Sequence, residues 1–168
     1  MDESPPAQTT DRERAIELAY KALATRERTV TELRCYLERK RVGPKAIEAA
    51  IEELSEAGFL DDARFAQRFV EDKRTLELWG SERIAVDLRR RGIDPELVEK
   101  ATSASSRSDE LASALVLLGE RVPRAPANDR ERNKAWRLLV RRGYQPELAY
   151  EAVRAHERRS AAARNHAA

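Results

Sequence analysis

Three prolines at equal intervals constrain this chain more than any other feature. Pro44, Pro95 and Pro146 stand 51 residues apart, and related residues surround each of them. Arg90-Arg91-Gly92-Ile93-Asp94-Pro95-Glu96-Leu97 is nearly repeated by Arg141-Arg142-Gly143-Tyr144-Gln145-Pro146-Glu147-Leu148, and Lys40-Arg41-Val42-Gly43-Pro44-Lys45 is a more worn copy. Leu37, Leu88 and Leu139 keep the same interval, as do Ala50, Ala101 and Ala152. A fixed interval of this size marks a repeat architecture. Such arrays present extended binding surfaces more often than one deep catalytic pocket.

Within each copy the apolar residues recur at helical spacing. Asp11 is placed to cap a first helix reaching about Ala24, with Ile16, Ala19, Tyr20 and Leu23 on its apolar side. Thr29 and Glu32 have the spacing of a capping box, followed by Leu33, Tyr36 and Leu37, with Gly43 as the stop. Pro44 suits the first turn of a third helix carrying Ala46, Ile47, Ala50, Ile51 and Leu54, which Gly58 ends. The second copy opens on Asp61 or Asp62 as cap, then Phe65, Ala66, Phe69 and Val70. After Trp79-Gly80-Ser81 come Ile84, Val86 and Leu88, the stop at Gly92, and Leu97, Val98 and Ala101. Ser103-Ala104-Ser105-Ser106 reads as a flexible joint. The third copy carries Leu111, Leu115, Leu117 and Leu118, a loop over 121–127, Trp136, Leu139 and Val140 facing inward, then Leu148, Ala149 and Val153.

No run alternates apolar and polar residues between turn clusters, so strands are not expected. The fold class is all-α: three tandem three-helix repeats forming an elongated, curved modular array. The expected bounds are a disordered tail over 1–10, repeats over 11–58, 59–103 and 104–159, and a frayed tail over 160–168. A unit this small buries only ~60% of its unfolded surface, so neighbours are expected to lean on each other.

Composition agrees: of 168 residues 37% are charged and only 5% aromatic, which suits small helical units with wide solvated faces. The net charge of +2 is unevenly spread. Residues 1–60 hold 10 basic and 12 acidic side chains, residues 61–101 hold 9 and 10, and residues 102–168 hold 13 and 8. A basic part in an otherwise slightly acidic chain points to a polyanionic partner. The lone Cys35 excludes an internal disulfide and a multi-thiolate metal site, and is expected to be partly buried. No apolar run approaches the ~20 residues that span a bilayer, and Met1–Pro6 is unlike a signal peptide. The expected setting is the cytoplasm, with no membrane partner and no cofactor.

Catalysis has little support. His156 and His166 have no evident partner or pocket, and Asp61-Asp62 reads as a helix cap beside the dipole. No phosphate-binding glycine loop and no metal-spaced His/Cys cluster is present, so a small hydrolase is disfavoured. The basic residues say more. Arg130, Lys134, Arg137 and Arg141 are spaced 4, 3 and 4, which puts them in one sector of a helix. Capping by charge accounts for arginines at helix C-termini but not for Arg130 in a first turn, where the dipole disfavours it. One copy earlier Arg83 and Arg90 keep part of the stripe, interrupted by Val86; earlier still only Arg39 remains, and Glu32 stands in place of Arg83. Arg154 and Arg158 extend the positive charge. These residues are the candidate surface for phosphates or an acidic protein.

The stretch from Leu60 to Val70, with Asp61, Asp62, Arg64, Phe65, Ala66 and Phe69, resembles the central signature of the RecX family of bacterial regulators of the RecA recombinase. So do Gly80-Ser81-Glu82-Arg83-Ile84, Leu88 and Arg91-Gly92-Ile93. Ala22-Leu23, Arg26, Glu32-Leu33 and Gly58 echo the family's first segment, and Arg141-Arg142-Gly143-Tyr144 its last. The resemblance covers about residues 12–155, and the third copy departs from it most, through the Pro123–Pro126 loop. It implies three three-helix repeats, no enzymatic site, and a regulator that binds the RecA–DNA filament and typically restrains ATP hydrolysis and strand exchange. The signature residues are then mainly structural, the protein monomeric, and DNA contact weak or through the filament. The competing reading is a helix-turn-helix protein that binds DNA without a recombinase, for which base-reading Asn or Gln would be needed and none of the helices is rich in either.

Overall fold

The computed structural model describes residues 10–166, with side chains as far as Ala162. The described residues form helices and turns with no strand. The helices are α1 (Asp11–Thr25), α2 (Val30–Arg39), α3 (Pro44–Glu56), α4 (Asp62–Glu77), α5 (Ser81–Arg90), α6 (Pro95–Thr102), α7 (Arg107–Arg121), α8 (Asp129–Arg141) and α9 (Pro146–His166). Pro44, Pro95 and Pro146 each open the third helix of a triplet, where the missing N–H costs nothing.

The helices divide into two compact units. One comprises residues up to 65 with the turn Arg91–Asp94, and the other comprises 66–90 and the residues from 95 onward. In the first unit Ala15, Ala19 and Ala22 of α1 meet Leu33, Leu37, Ile47, Ala50 and Leu54. Alanines, not Ile16 and Tyr20, form the buried seam of α1: Ile16 is partly buried and Tyr20 is 41% exposed. In the second unit Ala114, Leu117, Leu118, Ala135, Leu139, Tyr144, Leu148 and Ala152 form a core, against which Leu78 also packs.

Local chemistry departs from expectation at several ends. Thr10, not Asp11, caps α1, in a full capping box with Glu13. Thr29 accepts from Glu32 N–H, but the Glu32 carboxylate is spent on Arg26 and Arg91, so the box at α2 is half made. Ser106 caps α7 in a box with Asp109, which makes an ordered helix start of the expected joint. Cys35 is exposed rather than half-buried, because Leu33 and Leu37 own the inner face of α2. Val86 likewise faces solvent, and Ala85 takes the inner place beside Ile84 and Leu88. Helix α9 continues to His166 through the Ala-rich segment expected to fray, as alanine's helix preference favours. Of the expected tail over 1–10, residues 1–9 lie outside the described residues, as do residues 167–168, and Thr10 belongs to the start of α1. His156 is buried, with Nε2 donating to Val122 O at 2.8 Å, which ties α9 to the loop after α7.

The position three residues before each proline has positive φ: Arg41 at 59°, Gly92 at 80° and Gly143 at 90°. Arg41, not Gly43, turns the chain out of α2, and Gly43 is instead the N-cap of α3.

Candidate interaction surface

The positioning of the candidate side chains begins with contacts made at the starts of α2 and α5. In the first unit Thr29 Oγ1 donates to Arg91 O at 2.7 Å and Thr31 Oγ1 to Gly92 O at 3.2 Å. Val30 N–H donates to Asp62 Oδ1 at 2.9 Å, and Arg91 pairs with Glu32 at 2.9 Å. In the second unit residues 80–82 and 142–143, one period later, meet again, with different donors and a different carboxylate. Gly80 N–H donates to Arg142 O at 2.8 Å and Glu82 N–H to Gly143 O at 3.0 Å. Ser81 N–H donates to Glu110 Oε1 at 2.8 Å, so a carboxylate from another helix again satisfies the first orphan donor. Tyr144, fully buried, donates its hydroxyl to Leu78 O at 3.0 Å, and burial pushes its phenol far above the usual range.

The signature residues lie in this framework. Asp61 caps α4 by accepting from Arg64 N–H at 2.9 Å, and Arg64 reaches Gly58 O. Phe65 lies beneath Arg91, and Ala66, Ile84 and Leu88 are fully buried. Asp62 is half-buried, and desolvation raises its carboxyl above the ordinary value against the lowering effect of Val30 N–H. Lys73 lies over the rings of both Phe69 and Trp79. Arg74 holds the α4–α5 and α6–α7 turns together through Ser81, Thr102 O and Ser105.

The basic candidates separate into two kinds. Arg83 stacks on the Trp79 ring at 3.9 Å, so its guanidinium has an internal partner. Arg154 pairs with Glu157 at 3.2 Å and lies 5.8 Å from the Tyr150 ring. Arg90 and Arg158 are exposed on α5 and α9. Arg130, Lys134, Arg137 and Arg141 are different. Ala135 and Leu139 turn the opposite face of α8 into the core, leaving all four cations exposed along one side. Among the described residues none of the four has an ion-pair or hydrogen-bond partner. Together with Asn128 and Asn133 they border an open groove of about 920 Å³, where Glu131 is the single acid. The neighbouring Arg132, by contrast, is held by Asp129 and Glu157 at 2.6 Å each. Trp136 does not enter the core fully: it is part-exposed, with Nε1 donating to Pro146 O at 3.1 Å.

The structure thus brings the α8 stripe together and leaves Arg83, Arg90, Arg154 and Arg158 outside its groove. Sequence spacing found the stripe but missed Asn128 and Asn133, which carry no charge signal. It also missed Asp62 and Glu110 as caps of helices other than their own; only the interval from Val30 to Ser81 hints at that pairing.

The chain and its fold have known counterparts. Residues 61–101 match the family description "RecX, second three-helix domain", and residues 15–54 match "RecX, first three-helix domain". A protein named "Regulatory protein RecX" from Deinococcus radiodurans is 32% identical over 150 residues, spanning 89% of this chain and 72% of its own. Another of that name from Amycolatopsis mediterranei is 33% identical over 156 residues, covering 89% of each. The crystal structure of RecX from Lactobacillus salivarius shares the fold, with a TM-score of 0.79 at 19% identity, over 88% of this chain and 97% of that one.

Proposed function

The chain belongs to the RecX family of regulatory proteins, and from that premise we propose that it regulates the RecA recombinase by binding the RecA–DNA filament and restraining its ATP hydrolysis and strand exchange. The observation that carries this reading is the α8 stripe. Four exposed cations without internal partners are costly to keep together unless a polyanion takes them up, since like charges at helical spacing repel. A filament offers such a partner repeatedly. Helical units in series gain from it because weak linked contacts raise each other's effective concentration. Among the described residues no three His, Cys, Asp or Glu side chains come together to hold a metal. No described helix is long and apolar enough to cross a membrane.

The test is single-stranded-DNA-dependent ATP hydrolysis by RecA, titrated with this protein. The expected result is a fall in rate with the native chain. With Arg130, Lys134, Arg137 and Arg141 all changed to Glu, the fall should vanish while the circular dichroism helix signal is kept. A native chain without effect at any ratio removes the recombinase reading. A fully active reversed variant removes the stripe from it.

A further inference from the structure

Beside the stripe, α8 and α9 enclose a second cleft of about 510 Å³ with different chemistry. Its aromatic walls are Trp136 and Tyr150, and Tyr150 is 60% exposed although no part of the core needs it there. The Trp136 ring is held in orientation by its bond to Pro146 O. The charges at the cleft nearly cancel, because Arg132 and Arg154 share Glu157 and Arg132 also holds Asp129. A neutral aromatic cleft of this size suits a flat, uncharged ring system and not a phosphate. Asn133 borders both this cleft and the cationic groove, so the two are adjacent on α8. On the helix wheel Trp136 lies roughly 120° from the stripe, with Asn133 between them.

We propose that this surface is a binding site for single-stranded nucleic acid, in which the α8 stripe follows the phosphates and the Trp136–Tyr150 cleft takes an unpaired base. The division of labour is the one single strands require: cations that track the backbone and aromatic faces on which any base can stack. A duplex does not meet the requirement, because its bases are already stacked on each other. An acidic protein surface would use the stripe and leave the aromatic cleft empty. Asn133, at the border, supplies donor and acceptor groups to a base edge. The inference rests on the stripe being a polyanion surface, as in the proposed function, but not on the recombinase.

The experiment measures binding of the full chain, without recombinase, to a short oligothymidylate and to an abasic oligonucleotide of the same length. The native chain should bind the thymidylate about tenfold more tightly, the gain from stacking one base. Tyr150→Ala should bring the thymidylate down to the abasic affinity, and Tyr150→Phe should restore the preference. Lys134→Gln with Arg137→Gln should weaken both ligands by the same factor and reduce the salt slope by about 1.4, at about 0.7 per single-strand phosphate contact. Equal native affinity for the two oligonucleotides overturns the proposal, as does polyglutamate competing as well as thymidylate. These outcomes are independent of the ATPase titration, so failure of one reading is distinguishable from failure of the other.

Discussion

The start of α2 and the start of α5 receive the same turn with different chemistry. At α2 two threonine hydroxyls donate to the carbonyls of Arg91 and Gly92. At α5 two backbone N–H groups, of Gly80 and Glu82, donate to the carbonyls of Arg142 and Gly143. The second version brings main chain against main chain: a Cβ at Gly80 would sit 2.3 Å from the Gly143 carbonyl, and one at Gly143 would sit 2.4 Å from Arg83 N. The first keeps a side chain between, since a Cβ at Gly92 would meet Thr31 Oγ1 at 2.3 Å and Thr31 Cβ at 2.4 Å. The geometry of the repeat therefore constrains the carbonyls, and their donors are free to change. Where the donor is backbone the approach is closer and tolerates less substitution.

That difference is open to direct attack, and the largest effect should come from Gly143→Ala. Its positive φ and the immovable Arg83 backbone together should cost about 3 kcal/mol or more. Both tryptophans, Trp79 and Trp136, lie in this second unit, so their fluorescence during urea unfolding checks it. A shift below about 1 kcal/mol would mean that the two backbones separate easily and that the close approach is not structural.

Gly92→Ala should cost less, about 2 kcal/mol, because its obstacle is a side chain. The comparison sharpens in double-mutant cycles. Thr31→Gly should recover about 1 kcal/mol of the Gly92→Ala loss, whereas Arg83→Gly should recover almost nothing of the Gly143→Ala loss, since Arg83 N remains in place. Amide exchange of α2 and of α5 reads each cycle separately.

The smallest effect concerns the two carboxylates that cap these helix starts. Desolvation raises the Asp62 carboxyl, so the folded chain holds that proton more tightly than the unfolded chain does. Asp62 thus favours folding below the ordinary aspartate value, and the advantage is lost as pH rises through the raised folded value. Asp62→Asn keeps an acceptor for Val30 N–H and does not ionise. It should leave stability at neutral pH unchanged or higher by roughly a few tenths of a kcal/mol, screening being substantial at this half-exposed site. Asp62→Ala, which removes the acceptor, should instead cost about 1 kcal/mol. Amide exchange at Val30 across the acidic range measures both, and a marked loss in Asp62→Asn would show that the charge itself matters.

The copies also differ in what takes up the charge of the basic stripe. The α2 position equivalent to Arg83 is Glu32, and it is occupied by Arg26 and Arg91. At α5 Arg83 is taken by Trp79. Only at α8 do the equivalent surfaces carry four cations that nothing inside the described chain uses.

Helix type, the three triplets and the proline-led third helices were all legible in the residues, because each depends on local spacing and on proline's missing N–H. The stripe was legible for the same reason: 4-3-4 spacing determines a helix face whatever surrounds it. Caps and inner faces were less so. Tyr20 and Val86 carry apolar side chains at plausible positions, yet small alanines took the seam because only they admit close helix contact. Most telling is the left-handed position that recurs as Arg41, Gly92 and Gly143. Sequence alone determines that each copy turns between its second and third helices, though in the first copy it pointed to Gly43, and an exposed Arg41 shows that the turn by itself does not demand glycine. Glycine became necessary only where tertiary structure laid another helix start within 2.4 Å of the missing Cβ, a requirement of space that no single repeat contains.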